Sequence, residues 1–150
     1  MMMKKRYEIP TAVYALIYDE NKILLQKRNH TGIEDGAFDL ATSGHVEAGE
    51  TYVDAIVREL REELGIQVLP EDIEFSNTIH SKYHDDGLVY NNVYFKIKRY
   101  TGTPAVMEPS KNAGLEWFDL QTLPDNLIAD RRLGIENDLK HQAFSEFGWA

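Results

Sequence analysis

Glu59, Glu62 and Glu63 stand at i, i+3 and i+4 in the run Arg58-Glu59-Leu60-Arg61-Glu62-Glu63-Leu64. On a helix these positions share one face, so three carboxylates would meet within a single turn. Like charges so placed repel by a few tenths of a kcal/mol, roughly, even when exposed. Two readings of such a face stand side by side. One is a solvated acidic surface, eased by an Arg58–Glu62 pair at i, i+4. The other is a site for a hard divalent cation, because Mg²⁺ takes oxygen ligands, keeps several waters and is completed by phosphate oxygens.

The segment that would position them reads as a helix over Thr51 to Leu64. Thr51 with Asp54 three residues later forms a capping box, and Gly65 supplies the left-handed residue that a helix C-terminus favours. Val53, Ile56, Val57, Leu60 and Leu64 fall on one apolar stripe away from the acidic face. Upstream, Ala12 to Tyr18 is apolar at almost every position, which predicts a strand covered on both faces by helices. Asp19-Glu20-Asn21-Lys22 predicts a turn, Ile23 to Gln26 a partner strand, Asn29 to Ala37 an exposed loop containing Gly32, and Phe38 to Thr42 a short strand. Downstream, Ile73 to Tyr83 and Leu88 to Lys98 predict a hairpin turning at Asp85-Asp86-Gly87. Its second strand should turn Val89, Val93, Phe95 and Ile97 inward and Tyr90, Tyr94, Lys96 and Lys98 outward. Thr101 to Gly114 reads as a loop, Leu115 to Phe118 as a strand, and Asp130 to Phe144 as a closing helix with Ile135, Leu139 and Ala143 inward. The expected class is α/β, in one domain over residues 1–150.

The loop Gly44-His45-Val46-Glu47-Ala48-Gly49-Glu50 feeds the acidic helix. Gly44, five residues, Glu50, seven residues, Arg58-Glu59-Leu60, one residue, Glu62-Glu63, one residue, Gly65-Ile66 reproduces the Nudix box. The chain therefore resembles the Nudix hydrolase (MutT-like) family. The box is the specific part; the strand order around it and Leu115–Phe118 followed by Leu123-Pro124 are also similar to the family. The resemblance implies a Nudix-type α/β/α sandwich with a mixed central sheet. It implies a metal-dependent pyrophosphohydrolase, in which water attacks the phosphoanhydride of a nucleoside diphosphate linked to some group X. That class takes in nucleoside triphosphates, nucleotide sugars and dinucleoside polyphosphates. The implied cofactor is Mg²⁺ or Mn²⁺, held by Glu59, Glu62 and Glu63 with the Gly44 carbonyl as a further ligand.

The implied catalytic set is Glu59, Arg58, Glu50 and Glu108. Glu59 is the first choice for a water-orienting base, and Glu108, in the exposed Met107–Lys111 stretch, is the alternative. Arg58 should point away from the metal face and pair with Glu50, holding loop to helix. Lys27 and Arg28 end a strand and His45 lies in the loop, so Arg28 and His45 are candidates for substrate contact and equally for solvated surface. His80 and His84 have the helical spacing of metal ligands, but in a strand they would lie about 13 Å apart. Among Phe38, Tyr83, Tyr90, Tyr94 and Trp117, one could stack on a base; Tyr83 stands at a spacing the family associates with dinucleoside polyphosphates. Ala41-Thr42-Ser43-Gly44 replaces the usual Pro-Gly-Gly approach to the box, which separates this chain from the members that sanitise oxidised nucleotides. Isopentenyl diphosphate isomerases share a similar approach, but their chemistry uses a cysteine and this chain has none. A Nudix-fold nucleotide sensor without hydrolysis is the alternative function; such modules lose box carboxylates, and here all are present.

Composition narrows the partners. Of 150 residues, 43% are hydrophobic and 27% charged, an ordinary globular balance. The net charge of −9 argues against broad binding to nucleic-acid backbones or anionic lipid, which need a basic surface. A small nucleotide is the expected partner, since a bound cation can reverse the local field; a homodimer is compatible with the sequence. Met1 to Arg6 is basic, but Glu8 and Pro10 break the approach to the apolar run and no small-residue cleavage site appears, so a cytoplasmic location is expected.

Overall fold

The computed structural model describes residues 3–29, 35–83 and 87–150. The expected turn at Asp85-Asp86, His84, and the Gly32 part of the expected loop lie outside them. Strands β1 (Thr11–Leu16), β2 (Tyr18–Asp19), β3 (Lys22–Arg28), β4 (Phe38–Leu40) and β5 (Thr42–His45) precede helix α1 (Tyr52–Leu64). A 3₁₀ turn at Pro70–Asp72 leads into β6 (Ile73–Lys82) and β7 (Val89–Ile97), followed by β8 (Asn112–Asp119), α2 (Ala129–Lys140) and β9 (Phe144–Phe147).

The first sheet runs β5-β1-β7-β6-β9. β1 is antiparallel to β5 and parallel to β7, so the sheet is mixed, and its two faces bury different halves of β1. Val13 and Ala15 join Ile56, Leu60 and Leu64 of α1, whereas Tyr14 and Leu16 join Tyr94, Ile79 and Ile135 of the α2 side. This is the α/β/α arrangement that the unbroken apolar run of β1 calls for. Tyr94 departs from the expected pattern: it is fully buried rather than outward, because α2 covers the second face of β7 as α1 covers the first. No helix among the described residues is long and apolar enough to cross a membrane.

β3 does not return beside β1. It pairs with β2 and β4 on one side and with β8 along most of its length on the other, forming a second, antiparallel sheet. Ala41 alone separates β4 in that sheet from β5 in the first, so the expected Phe38–Thr42 strand is two short strands in different sheets. Gly44 and His45 accordingly lie in β5 and not in a loop, with Gly44 opposite Val13.

The closing helix is shorter than expected. It ends at Lys140 with His141 in the left-handed region, and the chain then adds β9 parallel to β6. Leu139 is half-exposed and Ala143 lies beyond the helix. The buried face of α2 is mostly polar, with Asp130, Arg131, Gly134, Ile135 and Asn137 inward. Gly134 lets the helix approach the sheet: a methyl group on it would stand 2.6 Å from Cζ of Tyr94, whose hydroxyl donates to the Asp130 carbonyl at 3.2 Å. Tyr94 is enclosed and cannot swing aside. Gly134→Ala should therefore destabilise the protein by about 1–3 kcal/mol through overpacking, outweighing the ~1 kcal/mol that alanine gains in helix propensity. A thermal melt checks this; a raised Tm would show that α2 has room to shift.

Candidate active site

α1 is fixed at both ends by what its sequence offers. Thr51 Oγ1 accepts from Asp54 N at 3.0 Å, and the Asp54 carboxylate accepts from Thr51 N, completing the capping box. At the other end Gly65 is left-handed (φ 70°) and its N–H caps the last turn. Two further carbonyls of that turn are taken by the loop between β7 and β8: Met107 N donates to Glu63 O at 3.2 Å and Ala105 N to Leu64 O at 3.0 Å. That docking draws Glu108 to the acidic face of the helix. Glu59, Glu62, Glu63 and Glu108 line one cavity of about 1010 Å³, along with Gly44, His45, Arg28 and Arg58.

Glu63 is tied to the sheet by Ser43 N, which donates to its Oε1 at 3.1 Å. The Glu59 carboxyl lies directly against Cα of Gly44, where a Cβ would overlap its Cδ and Oε1. Gly44 does not adopt a positive φ, so glycine is required there by close approach and not by backbone conformation. Burial pushes the Glu63 carboxyl up to about 9, reinforced by the neighbouring Glu59 charge and only partly opposed by Ser43 N. Burial also raises Glu59, against the opposing effect of Arg58.

Arg58 grips Glu50 with two bonds, Nε to Oε2 at 2.6 Å and Nη2 to Oε1 at 2.9 Å. This is the fork-to-carboxylate geometry that lysine cannot reproduce. The hydrogen bonds to Arg58 hold Glu50 down to about 2. The expectation that Arg58 points away from the metal face does not hold. Its Nη1 donates to Glu59 Oε1 at 2.6 Å and reaches Glu62 Oε2 at 3.4 Å, because the side chain curls over the turn between its neighbours. Its Nη2 also donates to the His45 carbonyl at 3.3 Å. One guanidinium thus joins the incoming loop, β5 and the acidic face.

Arg28 ends β3 inside the cavity, but its Nη1 is held by Asp39 Oδ2 at 2.8 Å. His45 is exposed and stacks on Tyr90, centroids 5.7 Å apart. Lys27 points to solvent. His80 packs its ring on Trp149, and Glu108 faces Lys111 at 3.8 Å.

Sequence reasoning missed the floor of this cavity. A chain of ion pairs runs from Arg28 through Asp39, Arg131 and Asp130, the last three linked by Arg131 Nε to Asp39 Oδ1 at 2.9 Å and Nη1 to Asp130 Oδ1 at 2.8 Å. Asp130 Oδ2 accepts from Tyr83 OH at 2.8 Å, Ser81 Oγ at 3.1 Å and Asn92 Nδ2 at 3.1 Å. Burial opposes the charge on Arg131, yet the carboxylate of Asp39 and then that of Asp130 hold it firmly protonated. Tyr83 is committed to this network through its hydroxyl. The available signal was Asp39 itself, a charge between Phe38 and Leu40 in a short apolar strand, where a buried partner is required.

The donor set at the acidic face is all oxygen, as Mg²⁺ or Mn²⁺ requires. Among the described residues no three His, Asp or Glu side chains already converge on one metal position; Arg58 stands between Glu59 and Glu62. Glu59, Glu62, Glu63 and Glu108 are the groups that could close on a cation.

Comparison with known proteins places this arrangement. The chain is 34% identical over 113 residues to an ADP-ribose pyrophosphatase of Methanocaldococcus jannaschii, an alignment covering 75% of this chain and 63% of that protein. It is 40% identical over 81 residues to the nucleoside triphosphatase NudI of Escherichia coli, covering 51% and 57%. The chain thus spans less than two thirds of the length of these curated relatives. The crystal structure of a MutT NUDIX hydrolase from Burkholderia pseudomallei superposes with a TM-score of 0.79 at 27% identity, over 87% of this chain and 98% of that one. The sequence model of the NUDIX domain matches residues 8–137, across both sheets, the box and most of α2, and the chain belongs to that family.

Proposed function

We propose that this chain is a metal-dependent pyrophosphohydrolase acting on the phosphoanhydride of a nucleoside diphosphate linked to X. One observation carries the reading: Glu59, Glu62 and Glu63 of α1 and Glu108 of the loop docked on that helix line a single open cavity. A solvated acidic face would not bury Glu63 against a like charge and hold it there with a backbone N–H. The two curated relatives are named for ADP-ribose and for nucleoside triphosphates, and both lie within the proposed class.

Glu59, Glu62 and Glu63, with the Gly44 carbonyl, would hold Mg²⁺ or Mn²⁺. Such a cation offsets phosphate charge and acidifies an attacking water. Glu63 must give up its proton to act as a ligand, and Glu59 must exchange the Arg58 Nη1 contact. Glu108 is then the carboxylate left to orient and deprotonate water; among the described residues its ion-pair partner is Lys111, at 3.8 Å. Arg58 and Glu50 position the β5–α1 loop. His45 and Arg28 line the substrate's path.

A screen of nucleoside triphosphates, nucleotide sugars and dinucleoside polyphosphates with Mg²⁺ and Mn²⁺ tests the activity. Glu59→Gln and Glu63→Gln should each lower kcat by about a hundredfold or more, because the lost charge acts chiefly in the transition state. Folded variants with wild-type turnover would remove these residues from the site. Tight nucleotide binding without turnover in the wild type would favour the sensor reading.

Proton linkage gives a second expectation. The Glu63 carboxyl is raised from an ordinary value of 4.5 to about 9 in the folded chain, so its contribution to stability is full below pH 4.5 and is lost as pH rises towards 9. In chelator, Tm should therefore fall between pH 5 and 9, and Glu63→Gln should flatten that slope. Metal should raise the wild-type Tm at pH 8 and leave the variant much less affected. Parallel pH profiles for the two proteins would contradict the assignment.

The Arg58–Glu50 fork yields a third. Arg58→Lys and Glu50→Gln should each lower Tm and kcat with little change in KM, and together should be far less than additive. A double-mutant cycle on kcat/KM measures the coupling; strictly additive losses would mean that the two residues act separately.

A further inference from the structure

Two side chains in the cavity floor hold hydrogen-bonding capacity that the protein does not use. Gln26 of β3 is 6% exposed, and its Nε2 donates to the Leu40 carbonyl at 2.9 Å and the Ala41 carbonyl at 3.2 Å. Carbonyls only accept, so the amide cannot be turned round, and Oε1 is left as a fixed acceptor. Arg131 of α2 is 8% exposed; its Nε and Nη1 are engaged by Asp39, Asp130 and Tyr83, and its guanidinium lies 4.2 Å over the Tyr14 ring. Among the described residues neither Gln26 Oε1 nor Arg131 Nη2 has a partner. They are not sealed in either, since among the described residues Thr42 Oγ1 is the fully buried side-chain atom left unpaired. Both residues line the cavity.

They are also neighbours through Asp39, which stands opposite Gln26 in the β3–β4 register and bonds Arg131. The charge around them is balanced: the guanidinium groups of Arg28 and Arg131 are met by the carboxylates of Asp39 and Asp130. A phosphate would find no uncompensated positive charge there, and the Gln26 oxygen would repel it. An uncharged planar group with a donor beside an acceptor fits instead, and Tyr83, Tyr90 and His45 supply an aromatic wall nearby.

We propose that Gln26 and Arg131 form a specificity pair that reads the polar edge of a nucleobase, Gln26 Oε1 accepting from an exocyclic amine and Arg131 Nη2 donating to the adjacent ring nitrogen or carbonyl. The inference rests on the reading that this cavity receives a nucleotide, and extends it to how the base is chosen. Pre-ordered donors and acceptors of this kind discriminate strongly, because a ligand lacking the matching group leaves them desolvated and unpaired.

The test is calorimetric binding with Mg²⁺ of the β,γ-imido triphosphates of adenosine, guanosine, cytidine and uridine, and of a ribose triphosphate without a base, alongside hydrolysis of the parent nucleotides. The wild type should bind its best base at least ~10-fold more tightly than the baseless compound, and lose ~10-fold when the exocyclic amine of that base is removed. Because this change is made on the ligand, it carries no risk to folding. Gln26→Met, which keeps length but removes the acceptor, should erase the amine preference while leaving affinity for the baseless compound within about twofold. Equal affinity for all ligands, no binding at all, or a uniform loss in Gln26→Met across the panel would overturn the proposal. Selective binding without hydrolysis would sink the hydrolase reading and leave this one standing; hydrolysis without base preference would do the reverse.

Discussion

Carboxylates crowded on one turn of a helix and partly withdrawn from water need a counter-charge, and Arg58 is the residue that meets that need at α1. Its Nε and Nη2 fork Glu50, Nη2 also reaches the His45 carbonyl, and Nη1 serves Glu59 and Glu62. The geometry of β5, of the loop after it and of the acidic face is therefore referred to one planar group. Removing a charge of this kind leaves several like charges facing one another, which is why a single arginine can govern the shape of the whole region.

The cavity brings two charge arrangements together. On the α1 side negative charge exceeds positive, and the excess is partly relieved by the proton that burial keeps on Glu63. On the floor, Arg28, Asp39, Arg131 and Asp130 balance one another and are further satisfied by Ser81, Tyr83 and Asn92. The first arrangement is open to a cation; the second resists one. The cavity is thus graded from excess negative charge at α1 to balanced charge at its floor.

The acidic helix and its caps were legible in the sequence because they depend on local spacing: Thr51, Asp54 and Gly65 act within a few residues of themselves. The double burial of β1 was legible from its unbroken apolar run. Tyr94 was not, because strand alternation alone gives no hint that a second helix covers the other face. The length and facing of α2 are not legible either, since its inward side carries Asp130, Arg131 and Asn137, and a helix buried through ion pairs shows no apolar stripe. Apart from the charge of Asp39 in an apolar strand, the cavity floor carries no local signal: Gln26 and Asp39 face each other on β3 and β4, but Arg131 lies on α2, 92 residues after Asp39, and the three acquire meaning only once that helix meets the sheet. Glu108 is singled out by the resemblance, as a carboxylate in a loop outside the box; the N–H groups of Ala105 and Met107 that bring that loop to α1 carry no sequence signal.

The wiring of the sheets also sets the order in which this molecule can come into being. β1 lies between β5, close in sequence, and β7, with Ala12 opposite Asn92; β3 waits for β8, with Lys22 opposite Asp119. Both sheets are closed by partners made late, a topology that slows folding because long loops must be ordered before their contacts reward it. On the ribosome the entire Gly44–Ile66 segment emerges after β1, on which it packs, but before β7 and well before the helix that floors the cavity. A nascent chain thus holds every acidic residue of the box before α2 exists, and α2, in lining the same cavity, is what turns that stretch of charge into a place.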